Sequence, residues 1–397
     1  MKTISVYTIT SSLHDEVSVK AVSDGFLGSI FPAGEFDFKG ADFSDFGSGS
    51  LDLIYVRTGG AEGIFRSLLP SLLAKGAGRF YLLTSGKSNS LAASLEILSY
   101  LRQNGLKGEV LHGSPAYVRE RIGRLAAINE ARSAIRGMKL GVIGKPSDWL
   151  IASAADPDSV AEQLGIEMLD IPMEELLEAI RKAKGEKAPA SLPMKQDIRS
   201  SWDGAVKIHE ALKSLVSRYG LGALTLRCFD LLTSVGNTGC LALARLNSEG
   251  IVSSCEGDVP ALLSMIIARA LSGKSGFQAN PAQIDVSTGE VLFAHCTIPF
   301  DMVDDYVFDT HFESGIGVGI HGHFPEGPVT VFKISGDLSR RFVAEGILTA
   351  NQYENNLCRT QVRLRLSTED ARYFLTDPIG NHHIILPGRW KDLLEEF

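Results

Sequence analysis

The chain has 397 residues, of which 44% are hydrophobic and 22% are charged, and its formal net charge is −8. This composition is typical of a globular protein of two or three domains and excludes a disordered chain. The negative charge and the lack of a basic run argue against a nucleic-acid-binding protein.

The cysteines and the hydrophobic pattern indicate a cytoplasmic protein. The five cysteines are scattered and form no Cys-x-x-Cys pair, so reduced thiols are favoured over disulfides or a structural zinc site. The N-terminal residues predict a first strand and not a signal peptide. No apolar run reaches the roughly 18 residues that a membrane span requires, so no membrane contact is expected.

Residues 1–137 alternate between predicted strands and predicted helices, which indicates a parallel sheet with helices on both faces. Strands are predicted over residues 4–8, 51–57, 79–84 and 109–112, and helices over residues 90–104 and 114–136. The buried face of the first of these helices is predicted from four leucines at helical spacing: Leu91, Leu95, Leu98 and Leu101.

Residues 138–274 repeat this alternation and predict a second α/β domain. Strands are predicted over 139–144, 167–171 and 223–229, a surface connection over 182–197, and helices over 159–164, 201–219 and 259–271. Asp258 is the predicted N-cap of the last helix.

Residues 275–397 differ in character, because short strands and Gly- or Pro-rich turns dominate over 284–376. This pattern predicts an antiparallel β domain or a barrel. The predicted fold is therefore α/β, with two Rossmann-like domains, 1–137 and 138–274, followed by a β-rich, barrel-like domain, 275–397.

Glu256 is the first candidate site residue, because it follows a predicted strand and precedes a predicted helix. Ligands of open α/β sheets gather at the carboxyl ends of the strands, where a carboxylate can bind metal or move a proton. A charge that only stabilises the helix N-terminus is the alternative interpretation.

Histidines supply the other candidates. His295 ends a predicted strand, and the pair His382–His383 follows the turn Gly380-Asn381. Neighbouring residues of a strand point to opposite faces, so one member of the pair can face a pocket while the other braces it. One carboxylate and two or three imidazoles suit a divalent transition metal.

A second group of histidines, His311, His321 and His323, lies among glycines, and no acidic residue is near it in the sequence. Although His321 and His323 would share one face of a strand, we interpret this group as a loop or rim feature.

Several segments together resemble the L-fucose/L-arabinose isomerase superfamily, in particular its fucose isomerase-like branch. They are residues 255–259 (CEGDV), 294–296 (AHC), 311–315 (HFESG), 327–330 (GPVT), 358–361 (CRTQ) and 380–383 (GNHH). The resemblance implies two Rossmann-like domains followed by a β-rich domain. It also implies a homo-oligomer that interconverts aldoses and ketoses with a divalent metal, usually Mn²⁺.

The same resemblance implies the site. It places Glu256 at the first acidic metal position, His295 at the middle histidine and His382 or His383 at the last one. The chain departs from the pattern at Asn280, where an acid is expected; an amide can coordinate through its oxygen but cannot act as a general base. Asp285 could replace that acid only if its strand turned it inward.

We therefore predict a metal-dependent sugar isomerase that works through an enediol, with Glu256 and Asn280 as catalytic residues. The predicted metal ligands are Glu256, Asn280, His295, His382 and His383, and the predicted partner is a small-molecule sugar or sugar derivative. Two alternatives remain open. One is a non-catalytic sugar-binding protein on the same scaffold, and the other is an epimerisation or aldol cleavage of a modified sugar at the same metal.

Overall fold

The computed structural model describes residues 4–32 and 35–397, and the chain divides into two compact units at Glu130 and Ala131. The second unit, which ends at Phe397, contains both a parallel sheet and a β-barrel. The domain boundaries expected at residues 137 and 274 stay predictions. None of the helices in the described ranges has the length and apolar character needed to cross a membrane.

The first unit is built around a parallel sheet with the strand order β2-β1-β3-β4-β5. The strands are β1 (Ile4–Ile9), β2 (Phe36–Gly40), β3 (Leu51–Val56), β4 (Arg79–Leu83) and β5 (Lys107–Leu111). The helices are α1 (Glu16–Ile30), α2 (Glu62–Ala74), α3 (Ser90–Gln103) and α4 (Pro115–Ile135), the last of which contains the boundary between the units. The order reverses between β1 and β3, as in doubly wound folds.

The buried face of α3 differs from the predicted leucine face. Ala93, Ile97 and Leu101 are buried, whereas Leu95 is 52% exposed. Residues 90, 93, 94, 97 and 101 also follow the helical period, and their smaller side chains at 90, 93 and 94 allow a close approach to the sheet. Two overlapping periodic patterns were present, and the one with small residues packs inward.

The second unit begins with a parallel sheet of order β7-β6-β8-β9. The strands are β6 (Lys139–Ile143), β7 (Glu167–Ile171), β8 (Ala223–Leu226) and β9 (Val252–Cys255). The helices are α5 (Pro157–Leu164), α6 (Met173–Lys182), α7 (Arg199–Tyr219), α8 (Asp230–Val235), α9 (Cys240–Ser248) and α10 (Val259–Ser272).

The rest of this unit is a closed antiparallel barrel of six strands, in the order β10-β11-β16-β15-β14-β17. The barrel strands are β10 (Phe277–Asp285), β11 (Glu290–His295), β14 (Gly327–Ile334), β15 (Arg341–Gln352), β16 (Thr360–Arg365) and β17 (His383–Pro387). A separate ribbon pairs β12 (Asp305–Asp309) with β13 (Gly319–His323), and the short helices are Phe300–Met302, α11 (Thr368–Thr376) and α12 (Lys391–Glu396). The predicted fold class, two parallel sheets with helices and a barrel-like C-terminal region, is confirmed.

The barrel contacts the end of β9 through the outward face of β10. The Gln278 side chain accepts a hydrogen bond from the Cys255 amide at 2.8 Å, while its neighbours Phe277 and Ala279 belong to the apolar core. The alternation of strand side chains therefore separates a barrel-core face from a face directed at the parallel sheet.

The turn between β9 and α10 has an unusual backbone. Glu256 and Gly257 have φ angles of 65° and 71°, in the left-handed region. Asp258 then caps α10 by accepting a hydrogen bond from Ala261 N at 2.8 Å, as predicted. A Cβ atom on Gly257 would lie 2.4 Å from Lys145 O, so the turn fits closely against that loop.

Gly257→Ala should therefore lower the free energy of unfolding more than Gly220→Ala does. Gly220 has a similar φ of +65° but open space around it, so it isolates the cost of about 1–2 kcal/mol for a left-handed alanine. The clash at Gly257 should add about 1–3 kcal/mol. Urea denaturation of the two variants measures this difference, and equal losses would show that the turn is not sterically confined.

Candidate functional site

Three of the predicted site residues converge in the second unit. Glu256 in the β9–α10 turn, His295 at the end of β11 and His382 just before β17 each present a ligand atom, and these atoms lie within 4.8 Å of one another. All three residues are buried. Segments up to 126 residues apart in the sequence therefore meet where a parallel strand of the sheet ends.

The side chains of this cluster, Glu256, His295 and His382, have a defined arrangement. His382 Nε2 lies 3.5 Å from Glu256 Oε1, and the two imidazole rings meet nearly edge to face with centroids 5.4 Å apart. The second oxygen, Glu256 Oε2, accepts a hydrogen bond from the Trp149 indole at 2.7 Å. The carboxylate is therefore held between an indole on one side and an imidazole on the other.

Asp258 orients His382 from behind. Its Oδ2 atom lies 2.8 Å from His382 Nδ1, and because a carboxylate only accepts, Nδ1 carries the hydrogen. The other oxygen of Asp258 lies 3.5 Å from the buried ammonium of Lys333. His295 Nδ1 is similarly engaged, at 2.8 Å from Thr297 Oγ1. In both imidazoles an oxygen atom holds Nδ1, so Nε2 on the other side of the ring is left for another partner. Metal-binding histidines commonly have this arrangement.

The electrostatics of the cluster favour a charged carboxylate and one positive charge beside it. Burial would raise the pKa of Glu256, but the contact with the charged His382 ring and the hydrogen bond from Trp149 outweigh it and lower the pKa to about 2. For His382, burial lowers the pKa, but Asp258 and Glu256 outweigh it and raise it to about 9. Burial and the charge of His382 lower the pKa of His295 to about 3, so His295 is neutral.

The residues present fit a divalent metal ion. Within the described ranges, the buried His382 Nε2 atom makes no hydrogen bond, although it points at a carboxylate. Buried polar atoms without partners are costly, and a cation in place of the His382 proton would satisfy this atom. One carboxylate and two imidazoles are donors that transition metals accept.

His383 lies on the opposite side of its strand, away from the cluster. Its Nε2 atom is 3.1 Å from the Tyr373 hydroxyl, and its ring packs edge-on against Phe374 and Phe342 in the apolar core. The structure therefore groups His382, and not His383, with Glu256 and His295, which disagrees with the prediction that His383 is a ligand. Successive side chains of an extended segment point to opposite faces, so His382 and His383 cannot both face the cluster.

The expected second acidic position is occupied by half-buried Asn280. Its Oδ1 atom accepts a hydrogen bond from Asn381 Nδ2 at 3.0 Å, beside His382. Asn280 shares a strand face with Gln278, which contacts Cys255 and was not singled out from the sequence. Asp285 does not replace the missing acid, because it is exposed and bonds to Ser287 in a hairpin turn.

An aromatic wall extends from the cluster toward the 311–315 segment. Trp149 packs edge-on against Phe229 at 4.9 Å, and Phe229 packs against His311 at 5.6 Å. Glu313 lies in this segment, at the exposed rim. Partial burial raises the pKa of Glu313, and the negative charge of Glu256 raises it further. Trp149, Phe229 and Lys333 carried no signal in the sequence, because only long-range packing brings them here.

Comparison with known proteins shows distant relatives. No protein-family model matches the chain. A protein of Alkalicoccus urumqiensis named sulfoquinovose isomerase is 27% identical over 222 residues, which cover 52% of this chain and 49% of that protein. Proteins of the same name from Priestia megaterium and a Clostridium species are 24% identical over 302 residues and 27% identical over 213 residues.

These matches are partial as well as low in identity. The Priestia match covers 70% of this chain and 66% of the relative, and the Clostridium match covers 51% and 46%. The chain thus matches between about half and two thirds of the length of these relatives. At this level the chain is similar to proteins named sulfoquinovose isomerase.

The neighbouring histidines provide a matched test of whether the cluster binds a metal ion. We expect His382→Gln to weaken binding of Mn²⁺ at least about 10-fold, because it removes a proposed ligand. His383→Gln should leave the metal affinity unchanged and lower the free energy of unfolding by about 1–3 kcal/mol through loss of its buried hydrogen bond. Calorimetric titration and urea denaturation measure both effects. Equal loss of metal affinity in both variants would contradict the arrangement described above.

Proposed function

We propose that this protein is a metal-dependent aldose–ketose isomerase that acts through an enediol. The observation that carries the proposal is the buried convergence of Glu256, His295 and His382, which three distant segments build at the end of a parallel strand. Similarity to proteins named sulfoquinovose isomerase supports the same reaction class.

Glu256, His295 and His382 would hold the ion, with the Asn280 amide oxygen as a further donor beside them. When bound, a divalent ion such as Mn²⁺ would polarise two adjacent sugar oxygens and so acidify the C–H between them. Residues of the chain would do the rest. Glu256 would accept the proton, Asp258 would keep His382 in one orientation, and the Trp149–Phe229 wall would limit access of water.

Two carboxyl groups with opposite pKa shifts suit the proton transfers of an isomerase. The positive charge of His382 keeps Glu256 ionised against the effect of burial, and a bound ion in place of that proton would do the same, so Glu256 can accept the proton that leaves the substrate carbon. Burial and the charge of Glu256 raise the pKa of Glu313 at the rim, in the direction opposite to that of Glu256. Carboxyl groups whose pKa values are driven apart commonly form acid–base pairs.

The substrate class follows from the relatives. Because their names state isomerisation of sulfoquinovose, a sulfonated sugar, we propose a sulfonated or otherwise modified sugar as the substrate of this chain. Sulfoquinovose is the first compound to test, and conversion to its ketose is the expected result.

A non-catalytic sugar-binding protein is the second candidate, and one residue favours it. Asn280 is neutral at a position where the resembling family has an acid, which removes one negative charge from the donor set. Such a protein would bind a sugar without turnover, whereas the proposed isomerase converts it.

Glu256→Gln should lower turnover by about 10²–10⁴-fold, because the substitution keeps the shape of the side chain but removes the basic carboxylate. The fold should persist, because Asp258 still pairs with His382 and the glutamine oxygen can still accept the hydrogen bond from Trp149. The control is Glu326→Gln, the same chemical change at an exposed loop residue, which should retain full activity. Sugar conversion is followed by chromatography. Near-normal turnover by Glu256→Gln would exclude this residue as the base.

We further propose that the protein is a homo-oligomer, as the family resemblance implies. Beside the cluster, Trp149 is 52% exposed and Ile151 is 91% exposed, and a second subunit would cover these apolar side chains.

Light scattering should therefore give a mass that is a multiple of 42.8 kDa. Ile151→Ser should shift this equilibrium toward smaller species, because it removes apolar contact area from the proposed interface. The exposed hairpin variant Ser287→Ala is a suitable control for surface substitution. A wild-type protein that remains a monomer at micromolar concentration would contradict the proposed assembly.

A further inference from the structure

A second histidine pair lies outside the Glu256 cluster, in the sequence His321-Gly322-His323. The interpretation of His311, His321 and His323 as a loop or rim feature was wrong for the last two as regards a loop, because Gly319–His323 form β13 and pair with β12, whereas His311 lies outside the strands and helices. Residues two apart in a strand share a face, and the two imidazoles are in contact, with centroids 5.1 Å apart. The pair is therefore built into the β12–β13 ribbon.

The outer nitrogen of each ring is bound to an oxygen acceptor. His321 Nδ1 lies 2.6 Å from the Arg359 carbonyl, and His323 Nδ1 bonds to the Asp305 carboxylate on β12. Neither oxygen can donate, so both Nδ1 atoms carry a hydrogen. Asp305 is also the acidic partner that the local sequence did not reveal, because strand pairing brings it there from 18 residues away.

The inner nitrogens face each other. His321 Nε2 and His323 Nε2 are 3.4 Å apart, and in neutral rings with hydrogen on Nδ1 both present a lone pair. Two lone pairs aimed at one another repel, and either a proton or a metal ion between the two nitrogens would satisfy both.

The separation of these two nitrogens matches a known coordination geometry. Nitrogens that each lie about 2.0–2.1 Å from one tetrahedral ion are about 3.3–3.4 Å apart. The observed 3.4 Å agrees with that value. His323 is 48% exposed, so an ion can reach the pair, and water can occupy the remaining coordination positions of that ion. The carbonyl and the carboxylate behind the rings are typical outer partners of metal-binding histidines.

We propose that His321 and His323 form a second divalent metal site, separate from the Glu256 cluster and selective for ions that prefer imidazole. Zn²⁺, Ni²⁺ and Cu²⁺ are such ions, whereas Mn²⁺ and Mg²⁺ prefer sites richer in oxygen. The site shares no residue with the cluster, so it does not depend on the isomerase proposal.

The test is a calorimetric titration of the metal-stripped full chain with Ni²⁺. We expect two binding events in the wild type. His323→Ala should remove one event, and Asp305→Asn should weaken the same event about 10–100-fold because it disturbs the outer partner. His382→Gln should remove only the other event. His14→Ala, which changes a histidine of the first unit, is the matched control and should retain both events.

Circular dichroism of each variant confirms that the fold is intact, and Asp305→Asn keeps the proposal testable if His323→Ala does not fold. The proposal is overturned if His323→Ala binds Ni²⁺ with unchanged stoichiometry and affinity. It is also overturned if the wild type shows a single event that His382→Gln removes. Neither result bears on sugar turnover, so failure of this site is distinguishable from failure of the isomerase.

Discussion

The contact of His382 with two carboxylates, Glu256 and Asp258, is the interaction on which the second unit depends. The imidazole comes from the start of a barrel strand, and both acids come from the turn that follows the parallel strand β9. Buried charges are costly unless they are paired, so the sheet and the barrel each supply what the other requires.

Lys333 completes the balance of charge in this buried group. Its ammonium lies 3.5 Å from Asp258 Oδ1, and both side chains are fully buried or nearly so. With His382 protonated, two negative and two positive charges offset one another. The same balance explains why removal of one partner would be more costly than removal of an exposed pair, since an uncompensated charge would remain in the interior.

The backbone of the turn allows the two acids to work from different sides. Glu256 is one of the few described non-glycine residues with a positive φ, and such strain is often found at functional positions. The left-handed pair Glu256–Gly257 lets Glu256 face the cluster while Asp258, two residues on, caps α10 and holds His382. A regular extension of the strand or of the helix would not place both carboxylates around one imidazole.

Much of the fold could be predicted from the sequence, because the signals are local. Alternating strands and helices, the Asp258 cap and the turn-rich C-terminal part all follow from short-range patterns, and the structure bears them out. The roles within the site were harder to predict. Which of His382 and His383 faces Glu256 depends on the phase of one strand, where a shift of one residue exchanges the faces.

Residues that act through packing left no trace in the sequence. Trp149 reaches Glu256 across 107 positions, and Lys333 reaches Asp258 from a barrel strand. The outward side of β10 offers both Gln278 and Asn280, and only the structure shows that Gln278 binds the end of β9. The buried face of α3 was predicted wrongly, and the reason is different. Two periodic patterns overlapped in the sequence, and the one with smaller side chains packs against the sheet.

The two groups of histidines share one hydrogen-bonding arrangement. His382, His295, His321 and His323 each engage Nδ1 with an oxygen atom, which leaves Nε2 directed at a neighbour. The groups differ in what that neighbour is. For His382 it is the carboxylate of Glu256, and for His321 and His323 it is the other imidazole. A carboxylate makes the first donor set suitable for harder ions such as Mn²⁺, whereas a pair of imidazoles suits softer ions. If both proposed sites bind ions, the same histidine geometry would serve two different metals, because the partner of Nε2 would decide which ion each site prefers.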